Sequence, residues 1–580
     1  MDDMQHRSIS QINTTPDRVR RRLEGYILSA SGLRAVFASS GNEEDDTRTI
    51  NDEDKVIVVT IARAFSAFVG DEGSSVLLGQ DARPTGYSLA LLSMKALISL
   101  GHNVRYLYIS AAPEIMAQSH NADYFYYISA SHNPIGHNGF KFGRNGGVFS
   151  KPEAEKLIAI LREMINSDDV VSKAIQLIES CPQEKRNDCL FRMEKEKAEA
   201  LSFYRSFVLK TASLPEGFKT NVGIAVDFNG SARAASIDRS LLGEVGVKFS
   251  AINDTVGCVA HAIVPEGENL IPVKEYLEKL HAEDGAYLLG YTPDNDGDRG
   301  NFVYIGRDGK GHILAAQEVF ALVVTIEIAA LSLAGKKNIA VSVNGPTSER
   351  IDEIAKCFGA KVFRAEVGEA NVVNLGEKLV SDGYTVKVLG EGSNGGNITK
   401  PASVRDPLNT AFTFLKFLSD EKLFSYIMEK LSAKPDDISI DSLLEALPRY
   451  TTTGAFSALA KMGVKSRDWA GLKERYEALL KDTFDTEAKP LVPGCTSYTV
   501  FQTEGITEKE GIGPEFRSSE AKGGLKVRFL DKDSNSLGYM WMRPSGTEPV
   551  LRVLADLKGD VQDIHDKVLS YQRSLIERAN

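Results

Sequence analysis

The sequence has few cysteines, and none of them forms a recognisable framework. Five occur in 580 residues, an odd number, scattered and without a C-x-x-C pair. They are Cys181, Cys189, Cys258, Cys357 and Cys495. This pattern argues against a disulfide scaffold and a thiolate zinc site, and it fits a reducing compartment.

Several other features are missing. Lys and Arg number 68 against 79 Asp and Glu, giving a net charge of −11, so we expect no nucleic-acid partner. The N-terminus, MDDMQHRS, lacks the apolar segment of a signal peptide. The most apolar stretch, 313–335, is interrupted by Gln317, Glu318 and Glu327, and therefore predicts a buried helix rather than a membrane span. We expect a cytoplasmic protein with no membrane partner.

What is present is typical of a large α/β protein. The length predicts about four domains, and 42% hydrophobic with 25% charged residues is ordinary globular composition. Short β-branched runs, each followed by a Gly- or Asp-rich loop and a helical stretch, predict α/β units on mostly parallel sheets. Examples are SVLLGQDARPTG before a helix at about 85–100, VGIAVDFNGSAR, and NIAVSVNGPTSER before a helix through Cys357.

Two regions depart from this pattern. Residues 172–200 are charged and helix-prone, which predicts a helical insertion or connection. Residues 485–524 are a polar stretch with several Gly, Pro and Ser. After it, GLKVRFLDKDSNSLGYMWMRPSG predicts two antiparallel strands, then a strand and a closing helix, as in a separate α+β domain.

The first loop of chemical interest is ISASHNP, which follows a strand ending near Ile128. Ser131, which is followed by His132 and Asn133, has the residue type of a nucleophile or phosphate carrier. Lys141, further along the chain, is a candidate hydrogen-bond donor to it. An ordinary polar turn is the alternative, because Ser and Asn are common turn residues.

The second loop, PDNDGDRG, brings three carboxylates together at Asp294, Asp296 and Asp298. They repel one another unless a cation joins them, and hard oxygen ligands suit Mg²⁺ or Ca²⁺. An EF-hand needs Gly and Glu where Arg299 and Ile305 stand, so that alternative fails. Few protein ligands with room for a phosphate oxygen favour Mg²⁺.

Two further loops are rich in glycine and hydrogen-bonding groups. LGEGSNGG contains G-x-G-x-x-G, but NITKP does not start the helix that a dinucleotide site needs, so we reject NAD. Glu391 and Ser393 there suit sugar hydroxyls. MRPSGTEPVLRV offers guanidinium, hydroxyl and backbone N–H donors that match a phosphate. No G-x-x-x-x-G-K-[ST] motif supports a P-loop enzyme.

Together the four loops resemble the ordered motifs of the α-D-phosphohexomutase superfamily, which includes phosphoglucomutase, phosphomannomutase and phosphoglucosamine mutase. The motifs are SASHNP, DNDGD, GEGS and RPSGTEP, joined by the family-like segments LSASGLR and GQDARPTG. The resemblance implies three related α/β domains and a C-terminal α+β domain around a central cleft. We place these domains at 1–200, 201–312, 313–446 and 447–580.

The resemblance also implies residue roles. Ser131 carries a phosphoryl group and, with Asp294, Asp296 and Asp298, binds Mg²⁺. Lys141 assists proton transfer, together with His132 and Arg34. The implied substrate ligands are Arg299 beside the metal, Glu391 and Ser393 for the sugar hydroxyls, and Arg543, Ser545, Gly546, Thr547 and Arg552 for the phosphate.

One position departs from the family. Some members carry a histidine two residues beyond the sugar-loop serine, where this sequence has Gly395. Lys141 is therefore the main candidate for acid–base chemistry. The segment expected to set sugar specificity is 364–369, RAEVGE.

The implied function is interconversion of hexose 1-phosphate and hexose 6-phosphate, for glucose, mannose or both, through a hexose 1,6-bisphosphate. Phosphoglucosamine mutase specificity, a metal-dependent sugar phosphatase and a non-catalytic sugar-phosphate sensor are the alternatives. The partners expected are small-molecule sugar phosphates, and a monomer and a homodimer both stay open.

Overall fold

The computed structural model describes residues 11–29, 32–392, 395–435, 437–455, 457–465, 467–545 and 550–580. Two compact units divide the chain. The first comprises residues 1–314 with 402–412, and the second residues 315–401 with 413–580.

The first unit begins with a mixed sheet flanked by helices. Its strands are β1 (Ile27–Ser29), β2 (Gly32–Val36), β3 (Ser75–Gln80), β4 (Asn103–Ile109), β5 (Tyr124–Ile128), β6 (His137–Arg144) and β7 (Gly147–Val148). They lie in the order β1-β2-β6-β5-β3-β4, with β7 beside β6. Only β3 pairs parallel, with β4 and β5. This arrangement brings the end of β5 and the start of β6 together.

Seven helices accompany this sheet in the described part of the chain. They are α1 (Pro16–Glu24), α2 (Asp52–Val69), α3 (Gly86–Ser99), α4 (Ala112–Gln118), α5 (Lys151–Ile165), α6 (Val170–Glu179) and α7 (Gln183–Ala212). Helix α3 is apolar on most faces and almost wholly buried. The sheet and most of these helices share one large apolar core, while α4 packs in a smaller one, so the loop after β5 follows a strand that is packed on both faces.

A second sheet completes the first unit. Its strands are β8 (Gly223–Asp227), β9 (Lys248–Ile252), β10 (Tyr287–Pro293), β11 (Gly300–Ile305) and β12 (Gly311–Ile313), with α8 (Asp238–Glu244) and α9 (Ile271–Glu283). The order is β12-β11-β10-β8-β9. Strands β10 and β11 are antiparallel neighbours, so the acidic loop is the tip of a hairpin.

The second unit holds two more sheets. The first contains β13 (Ile339–Asn344), β14 (Lys361–Ala365), β15 (Thr385–Gly390) and β16 (Ile398–Thr399), in the order β14-β13-β15-β16. Its helices are α10 (Ala316–Leu333), α11 (Arg350–Cys357), α12 (Glu369–Ser381), α13 (Pro407–Ser419), α14 (Glu421–Lys430) and α15 (Ile440–Ala446). Helix α13 begins in residues assigned to the first unit.

The last sheet is antiparallel throughout. It contains β17 (Tyr450–Thr452), β18 (Lys461–Gly463), β19 (Ser497–Glu504), β20 (Thr507–Glu510), β21 (Gly524–Leu530), β22 (Ser536–Pro544) and β23 (Val550–Lys558), with α16 (Trp469–Thr483) and α17 (Gln562–Ala579). The order is β17-β23-β22-β21-β19-β20, with β18 beside β23. The two helices pack their apolar faces on this sheet.

The α/β class, the helices near 86–99 and 350–357, the helical region 172–200 and the C-terminal strands all confirm the sequence prediction. In the described residues, Ala316–Leu333 is the one helix long and apolar enough to cross a membrane, and 61% of it is buried inside the protein, as a core helix would be. The domain boundaries stay predictions.

Two expectations need correction. In each α/β sheet the parallel strands lie at one side, and hairpins such as β5–β6 and β10–β11 add antiparallel strands at the other. The polar stretch 485–524 contains the hairpin β19–β20. Residues 402–412 cluster with the first unit, where Asp406 accepts hydrogen bonds from Tyr204 and Arg233.

Candidate active site

Ser131 lies at the carboxyl end of β5, buried in the first unit. Its φ is +53°, a left-handed conformation that a non-glycine residue adopts at a cost of about 1–3 kcal/mol. Its backbone N–H donates to Ser129 Oγ at 2.9 Å, and its own Oγ lies 3.1 Å from both carboxylate oxygens of Asp296. The strained turn therefore aims the Ser131 hydroxyl at the acidic loop.

Arg83, in the QDARPTG loop after β3, holds this turn in place by hydrogen bonds to its backbone. Its guanidinium is fully buried and donates to four backbone carbonyls of the serine loop. Those carbonyls belong to Ser131, Asn133, Pro134 and His137. Arg83 Nε donates to Asp81 at 3.2 Å, which orients the guanidinium. Buried carbonyls need such donors, so Arg83 gives the loop a single shape.

The acidic loop owes its shape to Gly297. This glycine has a φ of +69°, and a Cβ there would lie 2.2 Å from Arg233 Cγ. The tight bend lets Asp294, Asp296 and Asp298 each present a carboxylate oxygen within 4.8 Å of the others. The structure thus brings together the three aspartates that the sequence singled out.

The environments of these carboxylates differ. Burial, together with the charges of Asp296 and Asp298, raises the pKa of Asp294 well above its usual value. Burial alone would also raise the pKa of Asp296, but Lys141, which donates to it at 2.7 Å, holds that pKa below its usual value. Asp294 Oδ2 is buried with no hydrogen-bond partner among the described residues. A cation would satisfy this oxygen and relieve the repulsion.

Lys141 on β6 links the serine to the acidic loop. Its Nζ lies 3.2 Å from Ser131 Oγ and 3.7 Å from Asp298. Burial opposes its charge, but Asp296 and Asp298 outweigh burial and raise the pKa of Lys141. Lys141 is therefore a protonated donor at Ser131 Oγ.

His132 and Arg34 occupy the same cluster with different properties. Burial, with the charges of Arg299 and Arg34, lowers the pKa of His132 to about 2, so its ring is neutral near pH 7. Such a pKa is poorly matched to proton transfer at neutrality and favours a hydrogen-bonding role. Arg34 on β2 is half-buried, and desolvation lowers its pKa although Asp296 and Asp298 attract its charge.

Positive charge also comes from residues beside and beyond the acidic loop. The backbone N–H of Arg299 donates to Asp294 at 3.1 Å. Arg405, in the 402–412 segment, donates to Asp298 at 3.2 Å. No local pattern in the sequence predicts the roles of Arg405, Arg83 and Ser129. QDARPTG indicates only a family-like segment, and the position of Arg405 depends on the path of the chain.

In the second unit, the predicted phosphate ligands lie at the tip of the β22–β23 hairpin. Arg543 and Arg552 are cross-strand partners, and Ser545 N donates to Val550 O at 2.7 Å to close the hairpin. Like charges directly opposite each other destabilise a sheet, and Glu366 offsets this repulsion in part by pairing with Arg543. Gly546 and Thr547 lie outside the described residues.

Glu391, at the end of β15, is buried and contacts the predicted specificity segment. Its Oε1 accepts from Asn344 Nδ2 at 3.0 Å and from Gly368 N at 2.7 Å. Gly368 has a φ of +125°, which a larger residue would not adopt without strain. Glu391 thus supports the loop that carries 364–369. Ser393 lies outside the described residues.

Comparisons with known proteins show which families this chain is similar to. Residues 41–167 match the family described as phosphoglucomutase/phosphomannomutase, alpha/beta/alpha domain I. A phosphoglucomutase/phosphomannomutase of Thermococcus kodakarensis is 26% identical over 546 residues, covering 92% of this chain and 95% of the relative. A phosphoglucosamine mutase of Thermodesulfovibrio yellowstonii is 28% identical, covering 83% of this chain and 85% of the relative.

Solved structures share the fold. A phosphoglucomutase/phosphomannomutase family protein of Burkholderia thailandensis superposes with a TM-score of 0.62 at 16% identity, covering 95% of this chain and 97% of that one. The open form of parafusin, a Paramecium phosphoglucomutase, gives 0.60 at 15% identity, covering 95% of each chain.

Proposed function

The chain belongs to the α-D-phosphohexomutase superfamily of intramolecular phosphotransferases, and we propose that it interconverts hexose 1-phosphates and hexose 6-phosphates through a phosphoserine at position 131. The observation that carries this proposal is one cluster. In it, the Ser131 hydroxyl lies 3.1 Å from Asp296 and 3.2 Å from Lys141, beside three convergent carboxylates.

Asp294, Asp296 and Asp298 would hold Mg²⁺. The donor set fits a hard cation, since all the ligands are carboxylate oxygens and Asp294 Oδ2 otherwise lacks a partner among the described residues. Bound there, Mg²⁺ would neutralise charge on the phosphoryl group as it moves.

The residues of the chain account for the proton at Ser131. When the bond from phosphorus to Ser131 Oγ breaks and a bond to a sugar hydroxyl oxygen forms, Oγ needs a proton or a positive neighbour. The attacking sugar hydroxyl loses the proton that Oγ gains, and protonated Lys141, 3.2 Å from Oγ, assists this transfer by stabilising negative charge on Oγ; the proton moves in the opposite direction when the serine is loaded again. Arg34 and Arg405 add positive charge in this buried site, where it stabilises the transferring group.

The family resemblance implies which residues bind the part of the substrate that does not react. Arg543 and Arg552, with the loop that follows Ser545, would hold the substrate's own phosphate. Glu391 and Ser393 would bind sugar hydroxyls. A bisphosphate that turns over between two transfers lets one serine serve both ends of one sugar.

Glucose 1-phosphate and mannose 1-phosphate are the substrates we propose first. Glucosamine phosphate is a specific second candidate, because a phosphoglucosamine mutase is 28% identical over 488 residues. A comparison of kcat/KM for the three 1-phosphates, each with Mg²⁺ and catalytic bisphosphate, ranks them.

The test of the proposal is Ser131→Ala. We expect it to lower mutase turnover by about 10³-fold or more, because the covalent route is lost, while sugar-phosphate binding stays measurable. Ser129→Ala is the matched control, since it removes a hydroxyl that also contacts Asp296 but leaves the phosphate carrier in place. Its loss should be far smaller.

Two results would contradict the proposal. Near-normal activity of Ser131→Ala would show that the carrier is wrongly assigned. Release of inorganic phosphate faster than isomer formation by the unaltered, Mg²⁺-loaded protein would identify a phosphatase instead.

A further inference from the structure

Glu366, in the predicted specificity segment, forms an ion pair with a predicted phosphate ligand. Its Oε1 accepts hydrogen bonds from Arg543 Nε at 3.3 Å and Nη2 at 3.2 Å. These two donors form one edge of the guanidinium, the arrangement by which arginine holds phosphate oxygens. A carboxylate of the chain therefore occupies the donors that a phosphate would use.

Glu366 is fixed in this position by the β19–β20 hairpin. Its backbone N–H donates to Gly505 O at 2.8 Å, and its Oε2 accepts from Gly505 N at 2.9 Å. The neighbouring Ile506 packs against the same apolar core as Phe363. Because Glu366 is held at backbone and side chain, we expect Arg543 to be the partner that moves.

We propose that Glu366 is a built-in competitor of the substrate phosphate at Arg543. It orients the guanidinium in the empty enzyme and lowers the affinity for phosphate. The inference rests on the proposed mutase function, in which the bisphosphate must leave the phosphate site and rebind in the opposite orientation. A site that bound phosphate with the full strength of Arg543 and Arg552 would slow that exchange.

Electrostatic attraction favours phosphate over Glu366 as the partner of Arg543. The two side chains are 23% and 17% exposed, so water screens their attraction only in part. A dianionic phosphate attracts Arg543 more strongly than one carboxylate does, so it displaces Glu366 but gains less than it would at a free arginine.

The test measures binding in calorimetric titrations without Mg²⁺, using glucose 6-phosphate and inorganic phosphate as probes. Glu366→Gln keeps an acceptor for Gly505 N but loses the charge. We expect it to bind both probes about threefold or more tightly. In the mutase assay, KM and kcat should both fall, because release of the bisphosphate becomes slower.

Two controls test whether the effect belongs to Glu366 in particular and whether it acts through Arg543. Glu377→Gln removes a carboxylate of the same unit that pairs with Lys400 instead, and it should leave both affinities unchanged. In an Arg543→Ala background, Glu366→Gln should have no further effect on binding. Unchanged or weaker binding by Glu366→Gln, or a gain that persists without Arg543, would overturn the inference.

The competitor role of Glu366 and the proposed mutase function can fail independently of each other. If the unaltered protein is an active mutase and Glu366→Gln binds phosphate no more tightly, the competitor role alone fails. If the protein shows no mutase activity, the binding data still decide whether Glu366 competes with phosphate at Arg543, and only the proposed turnover role is lost.

Discussion

At the scale of single residues, Ser131 is held in a strained backbone conformation by a residue that does not touch the reacting atoms. Arg83 satisfies carbonyls on both sides of the serine, including that of Ser131 at 2.7 Å. It is a positioning residue, whose effect reaches the chemistry through the shape of the loop.

Arg83→Lys keeps the charge but loses the planar set of donors, so at least two carbonyls should lose their partners. We expect kcat to fall about 10- to 100-fold, because a small displacement of the serine misaligns transfer, with little change in KM. Steady-state kinetics and the rate of Ser131 phosphorylation by bisphosphate measure this.

Arg144→Lys is the matched control, because Arg144 pairs with Glu153 at the surface. Its kinetics should be those of the unaltered enzyme. An unchanged kcat in Arg83→Lys, or an equal loss in both variants, would refute the positioning role.

The sequence indicated the side chains that cluster in the candidate site better than the residues that support them. Ser131, Lys141 and the three aspartates carry their chemistry in their side chains and stand in short motifs. Arg83 acts through backbone carbonyls about 50 positions away along the chain. No side-chain pattern at either place indicates that pairing, and the same is true of Glu366 and Gly505.

At the scale of elements, helix α11 is fixed to the C-terminal sheet by a buried acidic residue at its start. Glu349 accepts from Arg528 Nε at 2.7 Å and from Ser536, and its backbone N–H donates to Asp556 at 2.9 Å. Burial would raise the pKa of Glu349, but Lys526 and Arg528 lower it to about 2.

Glu349→Gln should therefore destabilise the second unit by about 3–5 kcal/mol near neutral pH, because it leaves buried positive charge without its partner. The folded pKa of about 2 lies below the ordinary value of 4.5, so the carboxylate stabilises fully above pH 4.5. Its contribution is lost as the pH falls from about 4.5 to about 2, and the difference between variant and unaltered protein should shrink over that window.

Tryptophan fluorescence in urea titrations measures this effect selectively. The protein has two tryptophans, and both Trp469 and Trp541 lie in the second unit. Glu377→Gln, which alters a surface pair, should shift the midpoint little. A difference for Glu349→Gln that stays constant between pH 7 and pH 2.5 would contradict the assignment.

Element types followed from the sequence where apolar periodicity was strong, as in β5 and the helix Ala316–Leu333. The hairpin β19–β20 was missed because polar residues fill much of it. Gln502 is buried there, its amide donating to Glu477, and the pattern of a half-buried strand is hidden as a result.

At the scale of the whole molecule, the chain returns to its first unit at residues 402–412 after building a different sheet. Asp406 anchors this return. It accepts from Tyr204 at 2.7 Å and from Arg233, a fully buried arginine that also pairs with Asp238. The segment then presents Arg405 to Asp298.

Asp406→Asn should lower the stability of the first unit by about 3 kcal/mol or more, because Arg233 loses a buried countercharge. A thermal melt followed by circular dichroism should show an early transition that tryptophan fluorescence, which reports on the second unit, does not show.

Glu244→Gln is the control. It breaks the exposed pair with Arg205, which we expect to be worth less than about 1 kcal/mol. Coincident transitions by both probes, or equal effects of the two substitutions, would argue against Asp406 as the anchor of this segment.

The link between Gly505 and Glu366 has a consequence for protein engineering. Transplanting 364–369 alone from a relative, in order to alter sugar preference, would import a new side chain at position 366 while leaving behind the turn to which it must dock. A successful graft should therefore include the β19–β20 turn, so that the residues proposed to recognise the sugar and those proposed to tune phosphate binding are transferred together.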